Sequence, residues 1–332
     1  MRILFNVMNC GLGNNGGSAT IVKSANTLQE LGHDVIILDT GINHHTWTPL
    51  LATQRKIRND NEVPDADVVI ATGFNTVAST LKLADRCGMK FHYIRGWETW
   101  TMSEEDIVNR VLNVPTNKIV NSIGLQNKLN QYQIKSKVLY PGYEIEDLYP
   151  LFKRDDNKDI IIGGLNAAKK HWGTKRTDWI FEAATRIKKV IPYVKLWMMG
   201  NDKKPRIDVI DNYCRQPNMV EKNEFYNSID LWLSPSCLEG LHIPPAEAML
   251  TKCPVLGVKA ELSGTQDYLH NGKTGLLSKN NLDTFCSLAQ NMITDKGLRK
   301  DFGEKGYNTV KEIGDRKYNM QLMVEYFKEM LS

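Results

Sequence analysis

The pattern that most constrains the fold is an alternation of short apolar runs with amphipathic segments. Residues 3–8 and 34–38 predict buried strands, and residues 19–31 between them have helical spacing. The alternation continues to mid-chain. Strands are predicted at 68–71, 90–94, 118–121 and 137–140, and helices at 76–87 and 125–131. Strands that alternate with helices predict a parallel, doubly wound α/β sheet.

The same alternation starts again in the second half of the chain. Strands are predicted at 160–163, 194–199, 231–233 and 255–257, with helices at 177–190, near 203–214 and at 245–250. The charged stretch at 153–159 suits a linker, so we predict domains at 1–152 and 153–314, followed by an amphipathic helix at 315–332. A chain of 332 residues has ample length for two cores. Two such halves predict a cleft between them, with ligands at the carboxyl ends of strands.

Two glutamates eight positions apart, Glu239 and Glu247, carry the strongest indication of function. Glu239 lies in a glycine-containing loop, and Pro244-Pro245 suits the first turn of a helix, where a missing N–H does no harm. We therefore expect Glu247 in the first turn, beside free amides that favour an anion. A carboxylate there can accept hydrogen bonds from vicinal hydroxyls. Phosphate-binding amides and two hydroxyl acceptors are the groups that a nucleotide-sugar needs.

Composition excludes several other classes. The net charge of +4 is too small to indicate a nucleic-acid-binding protein. No apolar run approaches the roughly 18 residues of a spanning helix, so we expect at most peripheral membrane contact, at the inner face. The six cysteines are scattered and no signal peptide is visible, which predicts reduced thiols in a cytoplasmic protein. The histidines lack metal-ligand spacing, so we expect no metal.

Two segments of the first half are candidates for ligand contact. Asn15-Gly16-Gly17 lies between a strand and a helix, and glycines there let the backbone approach a ligand closely. The loop lacks the G-x-G-x-x-G pattern, which argues against a nicotinamide-dependent oxidoreductase. The segment from Arg95 to Trp100 ends a strand, and it offers Trp97 to pack on a sugar ring and Glu98 to orient a hydroxyl. The alternative for the glycine loop is a tight structural turn. The alternative for the segment that starts at Arg95 is a set of aromatic side chains that pack within the protein.

The ordered set of these segments resembles the glycosyltransferases of family 4, also described as glycosyl transferases group 1. These are retaining, nucleotide-sugar-dependent enzymes of the GT-B fold, in which two Rossmann-like domains face each other across a cleft. Glu239 and Glu247 match the family's Glu-x7-Glu motif. Three later segments follow the family pattern: Cys253-Pro254-Val255-Leu256-Gly257, Gly264-Thr265-Gln266-Asp267-Tyr268-Leu269 and Asn271-Gly272-Lys273-Thr274-Gly275. Earlier segments also match: Gly16-Gly17, Leu31-Gly32-His33-Asp34-Val35 and Tyr140-Pro141-Gly142-Tyr143-Glu144.

The resemblance implies a role for each candidate. Glu247 would bind the donor ribose, Glu239 the transferred sugar, and Lys175 the diphosphate, with Glu239, Lys175 and Glu98 as catalytic candidates. The backbone around Gly240, Leu241, His242 and Ile243 would face the donor, and Asn15, Gly16 and Gly17 would approach the diphosphate or acceptor. Arg95 and Trp97 would contact the acceptor, which is a glycan, a lipid-linked or a small-molecule hydroxyl compound. The C-terminal helix would cross back to the first domain, and no cofactor is expected.

One residue departs from the family pattern. The family's arginine after the first strand of the second domain is replaced by Gly164. We expect Lys169, Lys170 or Arg176 to supply the second positive charge. The missing arginine also keeps open an alternative, a nucleotide-sugar-binding subunit of a glycosylation complex that has no activity of its own. His242 stands where the family often has glycine, so it would either narrow the sugar pocket or cap the loop and face solvent.

Overall fold

The computed structural model describes residues 1–41, 47–100, 102–151 and 159–332. It contains two compact units, Met1–Gly142 with Asp315–Ser332, and Tyr143–Gly314. The boundary lies ten residues before the predicted one at 152/153. The reason is that residues just after Gly142 bond to the second unit: the Tyr143 amide donates to the Gly314 carbonyl, and the Tyr149 amide donates to Asn223 Oδ1 at 3.1 Å. Residues 153–158 of the predicted linker lie outside the described ranges.

The first unit is built on a parallel sheet of seven strands. They are β1 (Arg2–Asn6), β2 (Asp34–Asp39), β3 (Thr53–Lys56), β4 (Val68–Ala71), β5 (Met89–Ile94), β6 (Asn117–Val120) and β7 (Lys137–Val138), in the spatial order β3-β2-β1-β4-β5-β6-β7. The helices between them are α1 (Gly16–Glu30), α2 (Phe74–Lys82), α3 (Glu104–Asp106) and α4 (Ile123–Asn130), with a π-helical turn at Ile107–Leu112. The strand β3 was not predicted, because this short edge strand is mostly exposed and has no apolar periodicity.

The second unit repeats the architecture with six strands. They are β8 (Ile160–Leu165), β9 (Val194–Gly200), β10 (Asn212–Arg215), β11 (Leu231–Ser234), β12 (Val255–Val258) and β13 (Leu276–Ser278), in the spatial order β10-β9-β8-β11-β12-β13. Its helices are α5 (Trp172–Lys175), α6 (Thr177–Val190), α7 (Met219–Asn227), α8 (Ile243–Leu250), α9 (Leu282–Thr294) and α10 (Lys296–Ile313). The doubly wound fold class is therefore confirmed for both units.

The helix predicted near 203–214 is wrong. The end of that segment is strand β10, which pairs with β9 in parallel register. Ile207 and Val209 pack against the core of the second unit from irregular backbone, and Tyr213 packs against it from β10. Pairing with β9 has overridden the local pattern of the segment. The pairing partner is a separate segment of the chain, so the local pattern does not predict it.

The last helix, α11 (Arg316–Leu331), packs on α1 of the first unit. Its buried face, Met320, Met323, Val324 and Phe327, joins the core formed by β1, β2, β4 and β5. Gly142 makes this return of the chain feasible: its φ is +73°, and a Cβ there would lie 2.4 Å from the Arg316 Cα. Any other residue would clash with the backbone of the returning segment.

Candidate functional site

The segment with both motif glutamates runs from the end of β11 into α8. The helix begins at Ile243, with Pro244 and Pro245 in its first turn. Glu247 is the fifth helical residue, one position beyond the first turn in which it was predicted. The cause is tertiary, because the His242 amide donates to the Gly264 carbonyl at 2.9 Å and so fixes His242 as the N-cap.

Glu239 is held in the loop before α8 by contacts from two sides. Its amide donates to the Leu262 carbonyl at 2.7 Å, and Gly264 lies against its side chain. The Lys175 Nζ is 2.5 Å from both carboxylate oxygens of Glu239. Only 10% of the Glu239 side chain and 30% of the Lys175 side chain are exposed. The structure thus pairs the residue predicted for the transferred sugar with the residue predicted for the diphosphate.

Opposing effects act on the Glu239 carboxyl, and the net result is a lowered pKa. Burial raises the pKa, whereas His242, Lys175 and a hydrogen bond from Ser236 lower it by more. Burial also lowers the pKa of His242 to about 4, so this ring is neutral at pH 7. At neutral pH, therefore, the ammonium group of Lys175 is the charge that keeps Glu239 ionised.

His242 is buried rather than facing solvent. Its Nδ1 is 3.1 Å from the Ser234 Oγ, and its Nε2 is 3.5 Å from Glu239 Oε1. Its carbonyl accepts a hydrogen bond from the buried Tyr268 hydroxyl. Of the two expectations for this position, a solvent-facing loop cap is therefore wrong. His242 fills space beside Glu239, next to a cavity of about 10 Å³, which is roughly the room needed for one water molecule.

Glu247 faces the neighbouring helix α7. Oε1 is 2.8 Å from the Lys222 Nζ, and Oε2 accepts a hydrogen bond from the Tyr226 hydroxyl at 2.9 Å. The Glu247 side chain is 6% exposed. Sequence reasoning missed Lys222 and Tyr226, although their i,i+4 spacing on a helix places them on one face. A carboxylate has about four lone-pair directions, so these two contacts leave acceptor capacity at Glu247.

The amides at the start of α8 divide into two kinds. The His242 amide is occupied by Gly264, so the expectation that it faces a donor is wrong. Among the described residues, the amides of Leu241 and Ile243 have no acceptor in the protein. These two N–H groups lie at the positive end of an eight-residue helix, where an anion is favoured.

The remaining basic candidates lie on the connection from β8 to α6. Lys169 and Lys170 are exposed in a short 3₁₀ turn. Arg176 adopts a left-handed conformation with φ of 51°, and its guanidinium stacks on Trp179 at 4.4 Å from the ring centre. At Gly164, a Cβ would lie 2.8 Å from Ile180 Cδ1, so this position faces the core. Lys175 is thus the one cation of this connection that the structure places on a motif glutamate.

In the first unit, the glycine loop and Arg95 come together beyond the carboxyl ends of β1, β4 and β5. Asn15 caps α1, and its Oδ1 accepts a hydrogen bond from the Ser18 amide at 3.0 Å. The Arg95 side chain donates to the carbonyls of Gly17 and Thr72. Burial lowers the pKa of Arg95, and the nearby Tyr93, Glu98 and Cys10 oppose that shift. Arg95 therefore braces the loop that was predicted to approach the diphosphate or acceptor.

Trp97 and Glu98, two candidates that follow β5, both contact other residues of the first unit. Trp97 is 3% exposed, stacks on Tyr132 and meets the edge of Phe74, so the prediction that it packs on a sugar is wrong. Trp100, in the same segment, is 69% exposed. Glu98 accepts a hydrogen bond from the Phe74 amide at the start of α2, at 3.2 Å. Burial raises the pKa of Glu98 although this bond and Arg95 oppose the shift.

Two further properties concern metal sites and membranes. Within residues 1–41, 47–100, 102–151 and 159–332, no three His, Cys, Asp or Glu side chains are grouped so as to hold a metal ion. None of the helices in these ranges is both long enough and apolar enough to cross a bilayer.

Known structures share this architecture. HepE of Anabaena, crystallised with UDP and glucose, superimposes with a TM-score of 0.78 at 14% identity, over 99% of this chain and 100% of that one. Sucrose-phosphate synthase of Thermosynechococcus elongatus gives 0.73 at 14%, over 99% and 98%. A TarM mutant of S. aureus gives 0.62 at 18% over 78% of this chain, which spans 55% of the TarM chain. No protein with a curated description matches in sequence.

The two parallel sheets and the similarity to HepE define a two-domain α/β protein of the GT-B type. Residues 161–295, which include Lys175 and both motif glutamates, match the family model described as Glycosyl transferases group 1. The matched residues lie within the second unit, so this unit resembles the glycosyltransferases of that group.

Proposed function

We propose that this protein is a glycosyltransferase that moves a hexosyl or deoxyhexosyl group from a nucleotide-diphosphate-sugar to an acceptor hydroxyl, with retention of anomeric configuration. The observation that carries the proposal is the contact of Lys175 Nζ with both oxygens of Glu239, inside the segment that matches the family. Support for the donor class comes from HepE, which has been crystallised with UDP-glucose.

In this proposal each group of the second unit has a separate task. The ammonium of Lys175 stabilises the negative charge that develops on the departing diphosphate. The ionised Glu239 accepts hydrogen bonds from hydroxyls of the transferred sugar, and the amides of Leu241 and Ile243 donate to a phosphate. Because Lys175 neutralises Glu239 before the donor binds, a buried carboxylate is tolerated next to a site for an anion.

The proposed role of Glu247 is to bind the ribose of the donor. We propose that its unused lone pairs accept the ribose hydroxyls, although Lys222 and Tyr226 already hold the carboxylate. Glu247→Ala should weaken UDP-glucose binding tenfold or more in calorimetry, since a hydrogen bond to a charged group contributes about 1.5–3 kcal/mol. Glu224→Ala removes an exposed carboxylate from α7 and serves as the matched control. An unchanged dissociation constant in Glu247→Ala would remove the ribose role.

A second candidate function is nucleotide-sugar binding without turnover. Gly164 favours it, because the position that would carry the family's arginine faces Ile180 and supplies no charge. Release of UDP from UDP-glucose, with and without a panel of sugar acceptors, separates the two functions. Binding of the donor without hydrolysis or transfer would favour the inactive subunit.

The acceptor belongs, in our proposal, to the first unit. Arg95 holds the Asn15–Gly17 loop, and Trp100 offers an exposed aromatic face for packing on a sugar ring. We also propose that transfer needs no metal, because Lys175 and helix amides provide the positive charge. Full activity in excess EDTA is the expected result, and loss of activity that Mg²⁺ or Mn²⁺ restores would contradict it.

A further inference from the structure

A cavity of about 580 Å³ opens in the first unit, away from the residues discussed above. It lies where β6 and β7 begin, whereas Asn15–Gly17 and Arg95 lie beyond the ends of β1 and β5. Because all strands of this sheet run parallel, the cavity lies at their amino ends, and the Asn15–Gly17 loop and Arg95 lie at their carboxyl ends. The cavity lining includes Thr116, Lys118, Lys135, Ser136, Lys137 and Tyr326.

The lining of this cavity is strongly asymmetric in charge. Three lysines contribute to it, and no aspartate or glutamate does. In the described part of the chain, none of the three ammonium groups is paired with a carboxylate. The Lys137 Nζ instead lies over the Tyr326 ring, 5.7 Å from its centre. Unneutralised positive charge that converges on a concavity attracts anions.

Lys118 is the most deeply placed of these lysines and is only 8% exposed. Its Nζ donates to the carbonyls of Val114 and Thr116. An ammonium group has three protons, so these contacts leave one donor. Burial lowers the pKa of Lys118 to about 8, which is the effect of desolvation with no anion beside it.

Two neutral donors in the lining are also unused. Thr116 is 8% exposed, and its Oγ1 has no hydrogen-bond partner among the described residues. The Ser136 Oγ is likewise buried without a partner. A buried hydroxyl that bonds to nothing costs free energy, so such groups usually have a partner, and two in one cavity point to a ligand that carries acceptors.

We infer that this cavity is a binding site for a phosphate-bearing molecule. A phosphate monoester or diphosphate offers several acceptor oxygens and about two negative charges, which suits three ammonium groups and two hydroxyls. A carboxylate offers one charge and two oxygens, and a neutral sugar would need the carboxylate acceptors that this lining lacks. The volume is within the roughly 300–1,000 Å³ of small-molecule sites. The phosphate can belong to a soluble compound or to a lipid headgroup.

Calorimetry on the full chain, with excess UDP present to occupy the proposed donor site, tests the inference with two soluble probes, inorganic pyrophosphate and glucose 1-phosphate. Lys135→Glu/Lys137→Glu should weaken their binding tenfold or more, given the strength of hydrogen bonds to charged groups. Lys56→Glu/Lys82→Glu makes the same change of charge at two exposed lysines of the first unit and should leave binding unchanged. Co-sedimentation with phosphatidylcholine vesicles, with and without phosphatidylglycerol, forms the second arm.

Thr116→Val separates a ligand contact from a structural role. The hydroxyl has no protein partner, so its replacement by an isosteric methyl should leave the urea midpoint unchanged or raise it. Binding of the phosphate probe should nevertheless weaken severalfold.

The outcomes divide as follows. If the Lys135/Lys137 variant no longer binds the soluble probes, the site is assigned to a soluble phosphate compound. Vesicle binding lost in that variant, without binding of the soluble probes, assigns it to a lipid headgroup. The inference is overturned if the Lys135/Lys137 variant binds the probes and the vesicles as strongly as the Lys56/Lys82 control does. It is also overturned if neither the probes nor the vesicles bind at all.

Discussion

Replacing Lys175 with methionine tests the central contact of the donor site. Methionine keeps much of the length and apolar character of the side chain but has no charge. The substitution leaves Glu239, whose side chain is 10% exposed, without the ammonium group that lies 2.5 Å from both of its oxygens. A carboxylate that is buried and unpaired should destabilise the second unit, in addition to any loss of activity.

The magnitude follows from the burial of the two partners. Breaking a fully buried ion pair by removing one partner costs about 3–5 kcal/mol. Lys175 is 30% exposed, so water can reach part of the site and the lower end of that range applies. We therefore expect a loss of about 3 kcal/mol in the free energy of unfolding, and a transfer rate lowered about 10²–10³-fold.

Urea denaturation of the second unit, followed by tryptophan fluorescence, measures the loss of stability. Lys170→Met is the matched control, because Lys170 is exposed on the same connection and pairs with no carboxylate of the described residues. The double variant Lys175→Met/Glu239→Gln should recover most of the stability, since the uncompensated charge is gone, but not the activity. If Lys175→Met is no less stable than Lys170→Met, or if the double-mutant cycle shows no coupling, the pair is not a buried ion pair and the reasoning fails.

The pH dependence gives an independent check on the same contact. The folded-state pKa of Glu239 is lowered, so the pair stabilises the protein above the unfolded pKa of about 4.5, and this contribution is lost as the pH falls through the folded value. Without Lys175, burial raises the pKa, and the ionised carboxylate becomes destabilising at neutral pH. The difference in stability between wild type and Lys175→Met should therefore be largest near pH 7 and shrink below about pH 4.5.

Three further predictions concern packing and protonation. Gly264→Ala should destabilise more than Gly272→Ala in urea melts: both have φ near +70°, which alone costs about 1–2 kcal/mol, but only at Gly264 would the Cβ lie 2.6 Å from the Glu239 Cβ. Trp97→Ala should cost about 3–5 kcal/mol, whereas Trp100→Ala should stay within about 0.5 kcal/mol, and equal losses would contradict the burial of Trp97. Burial lowers the pKa of His242 to about 4, so the unfolded chain takes up the proton first and stability falls from about pH 6.5 towards pH 4. His242→Gln should flatten that slope, and an unchanged slope would argue against a buried neutral ring.

Much of the fold could be predicted because apolar periodicity reports burial directly. The strands β1, β2 and β4 contain runs of buried apolar residues, β5 ends in four buried residues, three of them with ring side chains, and α6 carries a buried stripe at helical spacing. The exceptions are β3, β10 and β13, which lie at sheet edges and gain their identity from pairing with β2, β9 and β12. An edge strand is specified by its neighbour's backbone, and that neighbour is distant in sequence.

The candidate site divides along the same line. The spacing of Glu239 and Glu247 and the glycine loop at Asn15 were visible as motifs, because loops and helix starts need particular residue types. What the motifs did not contain was each side chain's partner. Lys175 is 64 positions before Glu239, and Lys222 is 25 positions before Glu247.

The amino-acid sequence by itself determined two doubly wound α/β units and the family segment at 161–295, since periodicity and motif spacing are local properties of the chain. Only the tertiary structure decided that Lys175 pairs with Glu239, that Lys222 and Tyr226 hold Glu247, and that Trp97 is buried while Trp100 is exposed. These outcomes depend on which surfaces meet after folding, because charge pairing and burial are set by neighbours in space.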